Sequence, residues 1–192
     1  MLDEIQTGMC RTGEWFACQH DQVRPDVMTL AKGLGNGVPI GACLARGTAA
    51  QVFKPGSHGS TFSGNPLVCR VALTVIDELE KGKYAERAAK LGARLLASLK
   101  QAFGNATGVK EIRGRGLMLA VELDRPCKEL MKLALDRGIL INVTADNVIR
   151  LLPPLILTDD EADLLVRELS GVVHAFLGAT TEARHLPAGS HA

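Results

Sequence analysis

The stretch "LAKGLGNGVPIGA", residues 30–42, decides how this sequence is read. Lys32 closes the apolar run "DVMTLAK" (26–32), which suits a short buried strand, and Gly33, Gly35 and Gly37 follow at once. The turn "GLGNG" (33–37) leads to a second apolar run, "PIGACLA" (39–45), bounded by Arg46 and Gly47. A lysine delivered by a strand into a glycine-lined space leaves room around its ammonium for a planar group. Burial there is expected to lower its pKa and make the amine nucleophilic, as Schiff-base chemistry requires. The plainer alternative is a lysine snorkelling from a strand end. The glycines do not form a dinucleotide fingerprint, because the third spacing and the following helix are missing.

Working outward, Asp3 precedes Lys32 by the same number of residues as Thr61 follows it. Asp3, in "MLDEIQTGMC", suits a partner for a protonated ring nitrogen; a solvated carboxylate near the chain start is the alternative. The loop "GSHGST" (56–61) offers backbone N–H groups and the Ser60 and Thr61 hydroxyls to a phosphate, or is an ordinary polar loop.

Past this loop the apolar spacing of Val68, Val71, Ala72, Val75, Ile76 and Leu79 predicts a helix over 66–81, with Pro66 in its first turn. A second amphipathic helix follows over 83–103, placing Ala88, Leu91, Leu95, Ala97 and Leu99 toward the core. "VKEIRGRGLMLAVEL" (109–123) reads as one bent strand interrupted by glycines. A helix over 126–137 ends at Gly138, "ILIN" and "VIRLL" are short strands, and Thr158 with Glu161 forms a capping box before a long last helix. These elements predict an α/β first part (residues 1–80), a compact α+β second part (81–178) and a disordered tail (179–192). The first part has too few strands for a sheet covered on both faces.

The 192 residues are 46% hydrophobic and carry a net charge of +1, which permits a sizeable core and argues against nucleic acid or an acidic membrane surface as partner. No apolar run is long enough to span a bilayer, and no signal-peptide pattern is present. Cys10, Cys18, Cys43, Cys69 and Cys127 are odd in number and form no CxxC pair, so they read as small hydrophobes of a reducing cytoplasm. The five histidines show no ligand spacing, and a metal is not expected.

"DEIQTGMCRTG" (3–13), "LAKGLGNGVPIGA", "GSHGSTFSGNPL" (56–67) and "NVIRLLPPL" (147–155) together resemble successive signatures of the class III pyridoxal-phosphate aminotransferases, nearest the acetylornithine branch. The resemblance runs from Asp3 to about Leu177. It implies a fold-type-I transferase: the C-terminal part of the large cofactor domain plus the small α+β domain. It implies pyridoxal 5′-phosphate as cofactor, Lys32 as its Schiff-base lysine and later proton carrier, Asp3 on the pyridine nitrogen and Gln6 near the phenolic oxygen. Ser60 and Thr61 would bind the cofactor phosphate across a homodimer, and Arg150 would grip a substrate carboxylate; alone, Arg150 reads as an exposed strand arginine. The implied reaction converts N-acetylornithine and 2-oxoglutarate to N-acetylglutamate semialdehyde and glutamate. Succinylornithine, ornithine and 4-aminobutyrate enzymes share much of this half. One departure is Cys10, where the family commonly has glycine; a side chain there is expected to require an ordinary backbone conformation. A second is length: family members are longer, with a phosphate-binding turn and a stacking aromatic ahead of the aspartate. The chain is therefore also expected to be inactive alone and to need an N-terminal half.

Overall fold

In a computed structural model, residues 1–104 and 106–185 are described. The chain divides into two compact units, Met1–Lys90 with Arg115–Leu117, and Leu91–Gly114 with the chain from Met118 onward. The division falls inside a helix rather than at the 80/81 boundary read from sequence.

The first unit is built on a three-stranded sheet, β1 (Leu2–Asp3), β2 (Val27–Leu30) and β3 (Ala42–Ala45), in that order. β1 and β2 are parallel and β2 and β3 antiparallel. The register aligns Leu2, Met28 and Leu44 in one row and Asp3, Thr29 and Cys43 in the next. Because side chains alternate along a strand, the two rows point to opposite faces. α1 (Pro66–Lys81) has the predicted bounds. Asn65 caps it by accepting from Val68 N at 3.2 Å, Pro66 starts it without an N–H to orphan, and Gly82 follows its end.

α2 (Tyr84–Phe103) carries the division between the units. Ala88, Leu91, Leu95 and Leu99 are buried as predicted, but Ala97 is exposed, one step off the apolar stripe. The expected single strand over 109–123 is two strands, β4 (Val109–Arg115) and β5 (Met118–Leu123), neighbours in the sheet. Gly116, at φ 55, reverses the chain where a kink was expected. The second sheet runs β4-β5-β7-β6, with β6 (Asn142–Thr144) and β7 (Val148–Leu151). The 126–137 helix contracts to α3 (Leu130–Leu135), since residues 127–129 form a turn instead. The strand expected from "ILIN" begins only at its last residue, Asn142.

β5 alternates strictly, with Leu119, Val121 and Leu123 buried. Leu119 pairs with Leu151 and Val121 with Ile149, so these four form one inward face. α4 (Asp159–His185) opens as predicted: Thr158 N and Oγ1 donate to Glu161 Oε2 at 2.8 and 2.9 Å, and Glu161 N donates back to Thr158 Oγ1 at 3.2 Å. That reciprocal cap stabilises by about 1 kcal/mol. α4 continues past residue 178, into the segment expected to be a disordered tail; residues 186–192 of that expectation lie outside the described residues. Ala, Glu and Arg in "GATTEARH" are helix formers that let the last helix propagate. Among the described residues no helix is long and apolar enough to cross a membrane.

Candidate active site

Two parallel strands end side by side in the first unit, and the outer carboxyl ends of such strands are where open α/β sheets take ligands. Asp3 is the last residue of β1, in register with Thr29. Lys32 lies three residues further along β2's chain, in a short turn formed by Lys32–Leu34. The topology thus brings Asp3 and Lys32 to one edge.

Lys32 adopts φ 44, a left-handed conformation that β-carbon sterics disfavour by about 1–2 kcal/mol in a non-glycine residue. The turn enforces it: Gly35 N and Asn36 N both donate to Lys32 O, at 3.1 and 3.2 Å. Strain of this kind concentrates where a side chain must be aimed. The expected burial is not found, because Lys32 is exposed; the following glycines supply no side chains to cover it.

The Asp3 carboxylate is held from one side: Oδ1 accepts from Ile5 N at 2.9 Å, and Asp3 is exposed. Gln6, half-buried, stands in the turn just beyond. Ser60 and Thr61 are exposed in a loop that its own unit leaves uncovered: residues 50–64 are all exposed. A β-carbon placed at Gly56, Gly59 or Gly64 would meet nothing within 4 Å. This unit therefore does not bring its two hydroxyls onto Asp3 or Lys32 through any described bond.

Arg150 belongs to the second unit. Alternation along β7 turns it away from the Ile149–Leu151 face, and its cross-strand neighbours are Ala120 on β5 and Asn142 on β6. Neither is a carboxylate, and Arg150 Nε is buried without a hydrogen-bond partner. An orphaned guanidinium donor beside a small residue fits an incoming carboxylate.

Sequence reasoning gave no role to Glu4. It is 3% exposed, accepting from Cys18 N at 2.8 Å and Ala17 N at 3.0 Å, and from the Thr7 hydroxyl. The signal was a carboxylate just past a strand end with a hydroxyl three residues on. The Cys18 thiol is pushed up by burial and by the Glu4 carboxylate beside it.

Cys10 departs from expectation. It adopts φ 69, next to Met9 at φ 56, so a side chain occupies a conformation natural to glycine. The tight turn demands it: Cys10 N donates to Trp15 O at 3.3 Å and Gly13 N to Cys10 O at 3.1 Å. Burial pushes the fully enclosed thiol from the ordinary 9 up to about 11. A raised folded-state pKa keeps its contribution intact below pH 9 and loses it as pH rises through 11. The wild type is expected to lose about 2–3 kcal/mol more than Cys10→Ala over that interval. At neutral pH Cys10→Gly should be the more stable of the two replacements by about 1 kcal/mol, because only glycine releases the left-handed strain. Urea unfolding of the three proteins across pH checks both.

A concavity of about 410 Å³ lies at the other end of β2, against Phe16, Val23, Pro25, Met28 and Leu44. Its lining is mainly apolar, with Arg24, Asp26 and Arg46 also facing it. Among the described residues no cluster of His, Cys, Asp or Glu could hold a metal ion.

Residues 1–173 match the family described as aminotransferase class-III. The chain is 56% identical over 177 residues to acetylornithine aminotransferase 1 of Bordetella pertussis, covering 92% of this chain and 45% of the relative. The acetylornithine aminotransferase of Elizabethkingia anophelis superposes with a TM-score of 0.84 at 37% identity, over 90% of this chain and 45% of that one. An ornithine aminotransferase structure from Toxoplasma gondii, described as showing partial occupancy of pyridoxal phosphate at its active site, gives 0.86 at 42% identity, over 90% of this chain and 42% of that one. The chain therefore spans less than half the length of these relatives. The likeness also shows the fold to be that of the fold-type-I aminotransferases. By its sequence signatures, its fold and the match over nearly its whole described length, the chain belongs to the class III aminotransferases.

Proposed function

We propose that this chain supplies the lysine-bearing part of the active site of a pyridoxal-phosphate-dependent aminotransferase. The observation that carries the reading is the placement of Asp3 and Lys32 at the shared carboxyl edge of β1 and β2. The residues fit the cofactor: a strained lysine turn for its aldehyde, a carboxylate with one oxygen already fixed for its ring nitrogen, and an orphaned guanidinium donor for a substrate carboxylate. When bound, the cofactor supplies an electron-withdrawing ring that accepts the electron pair released at the amino donor's Cα. Asp3 would hold the ring nitrogen in its protonated form by charge. Lys32 would hold the cofactor through its amine and, once free of it, would carry a proton to and from the donor's Cα. Gln6 would stand beside the ring, on the side of its phenolic oxygen. Arg150 pairs with the substrate carboxylate through its planar fork.

Ser60 and Thr61 bind the cofactor phosphate of a partner subunit. Their uniformly exposed loop, which its own unit leaves uncovered, supports this homodimeric reading. The donor is N-acetylornithine and the acceptor 2-oxoglutarate, a choice supported by the 56% identity to an acetylornithine enzyme. Ornithine is the second reading, favoured by the likeness to the Toxoplasma gondii structure. Five free cysteines suit a reducing cytoplasm. Catalysis requires the part of the relatives' length that this chain does not span, so the chain alone is expected to turn nothing over.

The test is the visible absorbance of the chain given pyridoxal phosphate, alone and completed with the remaining segment of a class III relative. The completed enzyme is expected to show the band of bound cofactor and to transaminate N-acetylornithine. Lys32→Ala should abolish both. A band that survives in Lys32→Ala removes Lys32 from its role.

A further inference from the structure

We propose that Glu4 is a positioning residue that sets the Asp3 carboxylate through a single peptide plane. The inference rests on the role given to Asp3 above, and its geometry is independent of any cofactor. The peptide between Glu4 and Ile5 is bonded at both ends: its carbonyl accepts from Gly8 N at 2.9 Å, and its N–H donates to Asp3 Oδ1 at 2.9 Å. Because a peptide is planar, fixing the carbonyl direction fixes the N–H direction, and with it one oxygen of Asp3.

Glu4 locks that plane from three sides. Its own N–H donates to Thr29 O at 3.0 Å, continuing the β1–β2 ladder one residue past Asp3. Its buried side chain accepts from Ala17 N, Cys18 N and the Thr7 hydroxyl, tying the strand end to the turn at 17–18. Its carbonyl is crowded by Gly8, where an added β-carbon would lie 2.7 Å from Glu4 O and 3.2 Å from Leu30 Cδ2. Gln6, two residues on, rides the same turn.

The arrangement needs a carboxylate rather than a residue of that size. An ionised carboxylate is acceptor-only, and each oxygen meets a backbone N–H here. An amide of the same shape turns one donor group against one of those N–H groups, which leaves a buried pair of donors facing each other. Glu4→Gln therefore breaks the clamp while conserving volume, and Thr7→Val removes one of its donors while keeping the carboxylate.

The experiment is amide hydrogen exchange by NMR on the cofactor-free chain, comparing wild type, Glu4→Gln and Thr7→Val. In Glu4→Gln the amides of Ala17 and Cys18 are expected to exchange faster by about tenfold, the loss of one hydrogen bond to a charged group, with Ile5 accelerated alongside them. Val121 and Ile149, in the other unit, should keep their protection. A residue that merely pins the turn would release Ala17 and Cys18 and leave Ile5 unchanged, and that result overturns the inference. Should Glu4→Gln fail to fold, Thr7→Val carries the decision: a smaller acceleration at Ile5 supports the clamp, and none overturns it. Failure of Asp3 as the ring-nitrogen partner would appear instead in the absorbance experiment and leave these exchange rates untouched.

Discussion

Gly116→Ala is expected to destabilise the first unit, to which Gly116 belongs, by about 3–5 kcal/mol. Gly116 sits at φ 55, and a β-carbon there would lie 2.3 Å from Thr12 C, 2.6 Å from Gly13 N and 2.7 Å from Thr12 Cα. All three are backbone atoms, so no rotamer change relieves the overlap. The backbone that would have to move is itself tied: Leu117 N donates to Arg11 O at 2.9 Å, and Arg11 Nη1 donates to Leu117 O at 3.2 Å. Gly13, at φ 95, has no freedom to retreat, since its own added β-carbon would lie 3.0 Å from Ala89. Gly138→Ala is the control. It shares the left-handed conformation, at φ 76, but faces open space. Its cost should be the conformational part alone, about 1–2 kcal/mol. Chemical denaturation of both variants separates the two contributions; equal losses would refute the steric account.

Arg150→Met is expected to make the chain more stable and the assembled enzyme worse. Leaving a buried donor unsatisfied costs about 1–3 kcal/mol, and methionine covers the same length of β7 without one. A gain of about 1 kcal/mol is expected in the urea midpoint, because part of the arginine is still hydrated. In the completed enzyme the lost carboxylate pairing should raise KM for the acidic substrate by roughly a hundredfold, equivalent to about 3 kcal/mol, with a smaller effect on cofactor binding. Equal loss of cofactor would contradict the role given to Arg150. On that reading the fold holds the side chain in an unfavourable state that a substrate carboxylate would relieve, a trade of stability for activity.

Local signals made some of this legible in advance. Asn65, Pro66 and Gly82 bracket α1 with chemistry that acts within one helical turn, so its bounds could be read residue by residue. The capping box at Thr158 is equally local. The turn at Gly116 was not legible, since a glycine in a strand pattern marks a kink as readily as a reversal. What distinguishes them is Arg11, more than a hundred residues earlier in the chain, pairing with Leu117. Glu4 was hidden for the same reason: its burial is decided by Ala17 and Cys18, which no periodicity links to it. Lys32 was read as the buried end of a strand over 26–32, whereas β2 ends at Leu30 and Lys32 lies exposed in the turn after it, because glycines make space without saying what fills it. Cys10 was misjudged because a left-handed backbone is a property of the whole turn and not of the residue within it.

The first unit is not one continuous stretch of chain: Arg115–Leu117 belong to it, although the chain on either side of them belongs to the second unit. Leu117 N donates to Arg11 O at 2.9 Å and Arg11 Nη1 donates to Leu117 O at 3.2 Å, so those residues are tied to the unit they complete. A fragment ending within α2 would therefore keep Arg11 and lose the residue that Arg11 holds.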